Sequence, residues 1–457
     1  MAAWSSTSVA SEMTVNGNMM HLPLTIPSLL ALAASRHGKS CRAMAGAGTG
    51  TATARCGAES IGWRRRCSNW VFAVRRQGSE LVASGRGDVR NRAAAQRQWQ
   101  GDQVATARTL RRRADPSAFD RRQHRRSGSV KTIQISKYGR PGEVIDLVDV
   151  APPDRPGPGE VIIAMTLAPI HPADLLLARG FYGVRPKLPA VLGGEGVGRV
   201  LQAGDGVALK RGDRVLVPNR YPCWAEQIKI PATGLFACPP DVPDDQLALV
   251  SVNPLTAMLM LDESRLTPGR CFIQNAANSG VGRAVIMIAR AKGLRSVNLV
   301  RRQELIPKLK SIGADIVLLE GPNLKQRLAA EAGAVAIDAA FDGVAGESTA
   351  QLVACLAKGG TLTSYAGVSN QPFSLSPTEM IFRDINLRGF WLVDWLTRTA
   401  PEIVAERLQS LVEMTRQGTI RSEVAVDYAV EDFAAAIAHA QKGEGKILLR
   451  FGTRHAA

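Results

Sequence analysis

The chain has 457 residues, of which 45% are hydrophobic and 21% are charged, a balance typical of globular proteins. Its formal net charge is +17, but residues 1–130 hold 21 basic and 7 acidic side chains, which leaves 36 and 33 in the rest. No apolar run approaches the roughly 18 residues of a membrane span, and none of the seven cysteines belongs to a CxxC pair. These features argue against a disulfide framework, predict no membrane partner and favour a reducing compartment.

Residues 1–129 are rich in arginine, alanine, serine and glycine and carry almost no periodic apolar pattern. Arginines cluster at Arg64–Arg66, Arg111–Arg113 and Arg121–Arg126. A segment of this composition cannot bury enough apolar surface to offset the entropy of ordering it, so we predict a disordered extension.

Three interpretations of this extension compete. A nucleic-acid-binding arm would set the arginines against phosphates, although the sparse aromatic residues form no evident stacking platform. An organellar transit peptide would share the composition but be shorter. The third interpretation, which we favour, is a start codon assigned too far upstream. Val130 would then be a bacterial GTG initiator, and the expected location is the cytoplasm.

Residues 130–253 are predicted to form a small β-rich domain. Alternating or clustered β-branched residues predict strands at Thr132–Ile135, Val144–Val150 and Val161–Leu167. Closely spaced glycines between residues 193 and 212 indicate tight turns.

Residues 254–390 alternate between helical and strand patterns, which predicts parallel βαβ units and an α/β fold with a doubly wound sheet. The predicted elements are helix Leu255–Leu261, strand Cys271–Gln274, helix Gly280–Ala291, strand Val297–Val300, helix Glu304–Ile312, and strands Ile316–Leu319, Ala336–Phe341 and Gly360–Ser364. Residues 391–457 are expected to return to the first domain through helix Pro401–Gln417 and strand Ile447–Phe451.

The turn after strand Cys271–Gln274 is a candidate nucleotide site. It runs through residues 275–282, with sequence NAANSGVG, into a helix. Backbone N–H groups at such a turn can approach a pyrophosphate. The motif departs from GxGxxG at Ala276 and Asn278, and many similar turns are purely structural.

The next predicted strand ends at Val300 and is followed by Arg301 and Arg302. Binding of NAD usually places an acidic residue there to hold the ribose 2′-hydroxyl. Arginine instead matches a 2′-phosphate, and cations oppose the dipole at a helix start, so the pair predicts NADPH as the cofactor.

At this point the chain resembles a known family, the mitochondrial-type 2-enoyl thioester (enoyl-acyl-carrier-protein) reductases and their bacterial quinone oxidoreductase-like relatives, in the zinc-free branch of the medium-chain dehydrogenases/reductases. The matching stretches span nearly all of residues 131–450 and read HPADLLLARGFYG, LPAVLGGEGVGRV, VNPLTAMLML, QNAANSGVGRAVIMIA, LKSIGAD and LRGFWLVDWL. The resemblance implies a Rossmann domain inserted in a GroES-like catalytic domain, and a homodimer.

The resemblance also implies site residues. It makes Tyr182 the catalytic tyrosine. Its implied cofactor contacts are Asn253, Asn278, Ser279, Gly280, Val281, Arg301, Arg302, Tyr365, Ala366, Gly367, Val368, Phe390, Trp391, Leu392 and Lys446. Gln303 leaves one cation fewer at the phosphate than the family pattern, so the preference for NADPH is expected to be less strict.

A zinc site is not expected. Gly194 stands where the zinc alcohol dehydrogenases have a ligand histidine, and Cys223 and Cys238 lack further partners for a structural zinc. His171 is interpreted as a structural or pocket-lining residue, and Trp391 and Trp395 as core or acyl-pocket walls.

Chemistry without a Lewis-acid metal favours reduction of an activated C=C bond, with the Tyr182 hydroxyl donating to the developing enolate oxygen or relaying a proton. The predicted function is NADPH-dependent reduction of 2-enoyl thioesters carried by coenzyme A or acyl carrier protein. Reduction of quinones or α,β-unsaturated carbonyls is the nearby alternative. A nucleic-acid-binding protein with a basic arm is the alternative from another class, disfavoured by the net charge of only +3 after residue 130.

Overall fold

The computed structural model describes residues 128–443 and 445–452 together with six short strands in the first 127 residues. The chain divides into two compact units, residues 1–94 and 95–457. Most of the extension predicted to be disordered lies outside the described residues.

The described strands of the first unit pair mainly with their sequence neighbours. Four of them form one sheet and two form a hairpin, with bounds Ser11–Val15, Asn18–Leu22, Phe72–Gln77 and Glu80–Gly85 in the sheet and Arg42–Ala45 and Ala52–Arg55 in the hairpin. The sequence analysis predicted no strand in this segment, because it lacks a sustained apolar alternation.

The second unit alternates strands and helices, numbered here from Val130. The strands are β1 (Val130–Ile135), β2 (Ile145–Val150), β3 (Glu160–Pro169), β4 (Ala190–Val191), β5 (Gly196–Ala203), β6 (Arg214–Val217), β7 (Gln227–Pro231), β8 (Cys271–Gln274), β9 (Arg295–Val300), β10 (Ile316–Leu319), β11 (Ile337–Asp342), β12 (Thr361–Ser364), β13 (Asn386–Gly389), β14 (Val424–Ala429) and β15 (Lys446–Arg450). The helices are α1 (Pro141–Val144), α2 (Pro172–Arg179), α3 (Asp244–Leu247), α4 (Asn253–Ser264), α5 (Gly280–Ala291), α6 (Leu305–Ser311), α7 (Leu324–Ala332), α8 (Glu347–Cys355), α9 (Pro377–Arg383), α10 (Leu392–Arg398), α11 (Pro401–Arg416) and α12 (Phe433–Ala440), with a 3₁₀ turn at Val430–Asp432.

A parallel sheet of order β10-β9-β8-β11-β12-β13 is the centre of the α/β half of the second unit. Its inner strands are apolar and buried on both faces, as expected of a sheet covered by helices. The chain leaves β8 in one direction through β9 and β10 and in the other through β11 to β13. This is the topological switch point beside which α/β sheets bind their ligands.

The β-rich half contains a sheet of order β6-β5-β3-β15-β14, with β7 also paired to β3, and a smaller sheet of order β4-β1-β2. Strand β15 lies antiparallel to β3, so the C-terminal segment joins the sheet built by the start of the unit. Trp224 is fully buried in this core, and its Nε1 donates to the Pro169 carbonyl at 3.1 Å.

The predicted α/β class, with a parallel sheet beside a β-rich domain, is confirmed. The domain boundaries expected near residues 253 and 390 stay predictions. Among the described residues no helix is both long and apolar enough to cross a membrane.

Candidate active site

The candidate site is built around the turn between β8 and α5. Ser279 caps the helix, and its Oγ accepts a hydrogen bond from the Gly282 N–H at 3.1 Å. A Cβ placed on Gly282 would lie 2.6 Å from the Ala276 carbonyl oxygen, so only glycine allows this closeness of turn and helix. Ala276 has a φ of +47°, a left-handed conformation that favours glycine.

Two distant residues converge on the first residue of α5. A Cβ placed on Gly280 would lie 2.4 Å from Asn253 Nδ2 and 2.9 Å from Lys446 Cε. Asn253 begins α4 and Lys446 begins β15. The structure therefore brings Asn253, Lys446 and the turn together, and their contact with a cofactor stays a prediction.

Other predicted cofactor residues follow the carboxyl ends of neighbouring parallel strands. Arg301 and Arg302 follow β9, the segment Tyr365–Val368 follows β12, and Phe390 follows β13. The Tyr365 N–H donates to the Asp342 carbonyl at 3.0 Å, and the Phe390 N–H donates to the Ser364 carbonyl at 2.8 Å. Because parallel strands end at one edge, these residues share the edge that carries the turn.

The two arginines differ in their surroundings. Arg302 Nε lies 3.3 Å from a Glu304 carboxylate oxygen, and both side chains are exposed. Arg301 is also exposed. Burial raises the pKa of Glu320, and the Arg301 charge opposes that rise, so this carboxyl group lies within the electrostatic reach of Arg301. Arg301 is the arginine without the Glu304 ion pair.

Tyr182 and Trp391 form an aromatic pair at the predicted catalytic position. Trp391 Nε1 donates to Tyr182 Oη at 3.2 Å, and the rings meet edge to face with centroids 6.1 Å apart. Burial raises the pKa of Tyr182 and the Asp174 charge adds to the rise, while the bond from Trp391 lowers it. The phenol therefore stays protonated at neutral pH.

A chain of polar groups links the buried side chains of Glu195 and His171 to the half-buried Lys446. His171 Nε2 is 2.7 Å from Glu195 Oε1, and Lys446 Nζ is 3.1 Å from His171 Nδ1. Glu195 Oε2 accepts from the Ser251 N–H at 2.7 Å and from its hydroxyl at 2.9 Å. Burial lowers the pKa of Lys446, and the negative charges of Glu195 and Asp174 oppose this shift.

Sequence reasoning missed Glu195, Ser251 and Asp174 as members of the site, and it gave His171 only a structural or pocket-lining part. It also missed the buried pair Asn275 and Asp342 at the ends of β8 and β11, with Asn275 Nδ2 donating to Asp342 Oδ1 at 2.7 Å. The available signal was the occurrence of polar residues directly after, or inside, buried apolar strands.

No group of three or more His, Cys, Asp or Glu side chains suited to a metal ion occurs in the described part of the chain. The chain has two family matches: residues 157–240 match the alcohol dehydrogenase GroES-like domain, and residues 280–410 match the family described as zinc-binding dehydrogenase.

Over 338 residues the chain is 36% identical to the mitochondrial enoyl-acyl-carrier-protein reductase of Rattus norvegicus, covering 71% of this chain and 88% of the rat protein. The chain belongs to the enoyl-acyl-carrier-protein reductase family of the medium-chain dehydrogenases/reductases. The Homo sapiens reductase is also 36% identical, over 68% of this chain and 86% of its own. This membership makes the protein an oxidoreductase.

Solved structures share the fold of this reductase. A Bacillus thuringiensis protein provisionally named an NADPH:quinone reductase superposes with a TM-score of 0.66 at 26% identity, covering 71% of this chain and all of its own. The structure of the Etr1p/NADP/crotonyl-CoA complex superposes with a TM-score of 0.64 at 24% identity, with the same coverage.

We predict that Ala276→Gly raises the free energy of unfolding by about 0.5–1 kcal/mol. The left-handed conformation destabilises the folded state by about 1–2 kcal/mol when the residue is alanine. Glycine removes this strain, but its greater conformational entropy in the unfolded state offsets roughly 0.5–1 kcal/mol of the gain. Urea unfolding measures the change. Ala284→Gly, inside α5, is the matched control and should instead cost about 1 kcal/mol or more. A similar loss in both variants would show that the turn stores no strain.

Proposed function

We propose that this reductase uses NADPH to reduce the C=C bond of 2-enoyl thioesters without a metal. The observation that carries the proposal is the hydrogen bond from Trp391 Nε1 to Tyr182 Oη. The indole N–H can only donate, so the phenol oxygen is the acceptor and its own proton remains free for a substrate oxygen.

The residues at the strand ends fit a dinucleotide. Asn253 and Lys446 approach Gly280 so closely that a side chain at this position would clash with both, so the residues proposed to contact the cofactor meet at a bare backbone. The N–H groups at the capped start of α5 and the Lys446 amine suit a diphosphate, and Arg301 and Arg302 suit a 2′-phosphate. When bound, the nicotinamide supplies a hydride.

Tyr182 would act on the carbonyl oxygen and the α-carbon of the enoyl thioester, whereas the hydride adds to the β-carbon. Hydride addition to the β-carbon leaves negative charge on the thioester oxygen, and the α-carbon must then gain a proton. A protonated phenol, held in place by Trp391, can donate a hydrogen bond to that oxygen and lower the energy of the enolate. The same hydroxyl can pass its proton towards the α-carbon.

The carrier of the acyl group is coenzyme A or acyl carrier protein. The relatives from rat and human are named for the acyl-carrier-protein substrate, which supports an acyl thioester. Reduction of a quinone or an α,β-unsaturated carbonyl is the alternative, supported by the name of the Bacillus thuringiensis protein. Nucleic-acid binding through the arginine clusters depends on residues outside the described part of the chain, and the cytoplasmic location also stays a prediction.

We also propose a homodimer formed through the free edge of the parallel sheet. In the described part of the chain β13 pairs with β12 alone, so its other edge is unpaired. Ile381 and Phe382 on the adjoining α9 are 70% and 72% exposed. An open strand edge beside exposed apolar side chains is a surface that proteins usually cover.

Tyr182→Phe should lower kcat/KM for crotonyl- and 2-hexenoyl-CoA by about 100-fold, the order expected for losing an oxyanion donor. NADPH oxidation at 340 nm measures the rate. Tyr138→Phe is the matched control, because Tyr138 Oη donates only to the Pro186 carbonyl, at 2.6 Å. Activity confined to a quinone and unchanged in Tyr182→Phe would refute both the substrate and the residue.

Arg301→Ala should weaken NADPH binding by about tenfold or more, since hydrogen bonds to charged groups contribute about 1.5–3 kcal/mol. NADH binding should stay the same, because it has no 2′-phosphate. Arg295→Ala, at the opposite end of β9, is the control and should change neither. Equal weakening for both nucleotides would place Arg301 elsewhere than at the 2′-phosphate.

Phe382→Asp should convert a dimer into a monomer, because it sets a charge in a desolvated apolar contact. Sedimentation velocity on the wild type and the variant measures the assembly. Ile403→Asp is the control. It adds the same charge at an apolar residue that is 47% exposed on α11, outside the proposed face, so this variant should remain a dimer. A monomeric wild type, or a variant that remains dimeric, would contradict the proposed face.

A further inference from the structure

The hydrogen bonds that run from Glu195 through His171 to Lys446 favour one tautomer of the imidazole. His171 Nε2 lies 2.7 Å from a carboxylate oxygen, which can only accept, so this nitrogen carries the proton. Nδ1 is then the acceptor of a neutral ring. The Lys446 amine, which as an ammonium group can only donate, lies 3.1 Å from Nδ1 and supplies that hydrogen.

Hydrogen bonds hold both the backbone of His171 and the partner of its ring in place. Its backbone N–H donates to Asp174 Oδ2 at 2.8 Å, at the start of α2. Its partner Glu195 is fully buried and accepts two hydrogen bonds from Ser251. The ring therefore has little freedom to turn away from Lys446.

Lys446 in turn lies beside the turn that begins α5. Its Cε would be 2.9 Å from a Cβ on Gly280, the same residue that Asn253 approaches. An ammonium group has three hydrogens, and one is used by His171. Two remain on a side chain that passes directly beside the turn.

We propose that His171 is a positioning residue for the cofactor site, whose ring, oriented by Glu195, holds the Lys446 ammonium beside Gly280 with two hydrogens available to the diphosphate of a dinucleotide. This inference rests on the proposed function. It gives His171 and Glu195 an effect on cofactor affinity although neither is required to touch the cofactor. Glu195 acts only through the imidazole tautomer, which keeps Nδ1 an acceptor, and an asparagine oxygen needs no such help.

Two substitutions of His171 separate its two bonds. The oxygen of an asparagine can take the place of Nδ1 and accept from Lys446, so His171→Asn loses only the bond to Glu195. The amide nitrogen of a glutamine can take the place of Nε2 and donate to Glu195, so His171→Gln loses only the acceptor for Lys446. A purely structural histidine would make the two variants equivalent.

Isothermal titration calorimetry with NADPH on the full chain tests the inference. Lys446→Met and His171→Gln should each raise the Kd by about tenfold, whereas His171→Asn should stay within about twofold. In the double variant, His171→Gln should add nothing to Lys446→Met, because the two changes remove one interaction. Equal weakening by the Asn and Gln variants, or additive losses in the double variant, would overturn it.

Glu195→Gln provides a second route if His171→Gln does not fold. The new amide would donate to His171 Nε2, which moves the ring proton to Nδ1 and turns a donor towards Lys446. The Kd for NADPH should again rise about tenfold, and an unchanged Kd in the folded variant would overturn the inference. A wild-type protein that binds no NADPH would instead refute the proposed cofactor, which separates the two failures.

Discussion

The buried contact between Asn275 and Asp342 is the constraint on which the cofactor half of the site depends. Asp342 Oδ1 accepts from Asn275 Nδ2 and from the N–H groups of Val344 and Ala345, and Thr349 donates to Oδ2. Asn275 Oδ1 accepts the Gly343 N–H at 2.7 Å. A buried carboxyl group is costly unless its oxygens are satisfied, so this network is stable in one arrangement. That arrangement fixes the position of the chain at the ends of β8 and β11. The turn that leads into α5 begins at Asn275, directly after β8.

The β-rich half is tied to this sheet by a second buried carboxyl group. Glu195 stands just before β5, Ser251 just before α4, and Lys446 starts the last strand. The chain of bonds through His171 therefore connects segments far apart in sequence and ends at the nucleotide turn. Burial raises the pKa of Asp174 to about 6, so its carboxyl group loses part of its charge as the pH falls through that value. The charge balance around Lys446 is thus set by several groups together.

Local patterns were sufficient for much of the fold. The bounds predicted for Cys271–Gln274, Gly280–Ala291 and Ile316–Leu319 agree with the structure because these elements are apolar, buried and closed by turns. Helix α2 and strand β13 were not predicted. Strand β13 is mostly exposed, so it lacks the apolar signature of a strand and exists through its pairing with β12. The form of the nucleotide turn was also readable, although Ala276 holds a conformation that its residue type does not indicate.

The part of the candidate site around Tyr182 could not be derived in the same way. Tyr182 and Trp391 are 209 residues apart, and their hydrogen bond depends on the packing of Gly183 against the indole, where a Cβ would lie 2.9 Å from Cζ2. No periodicity encodes such a contact, and only the family resemblance pointed to the tyrosine. The proposed cofactor contacts lie at strand ends and in a turn, which follow from local sequence. In the proposed function, the reduction of a thioester depends on a phenol that only tertiary contacts place.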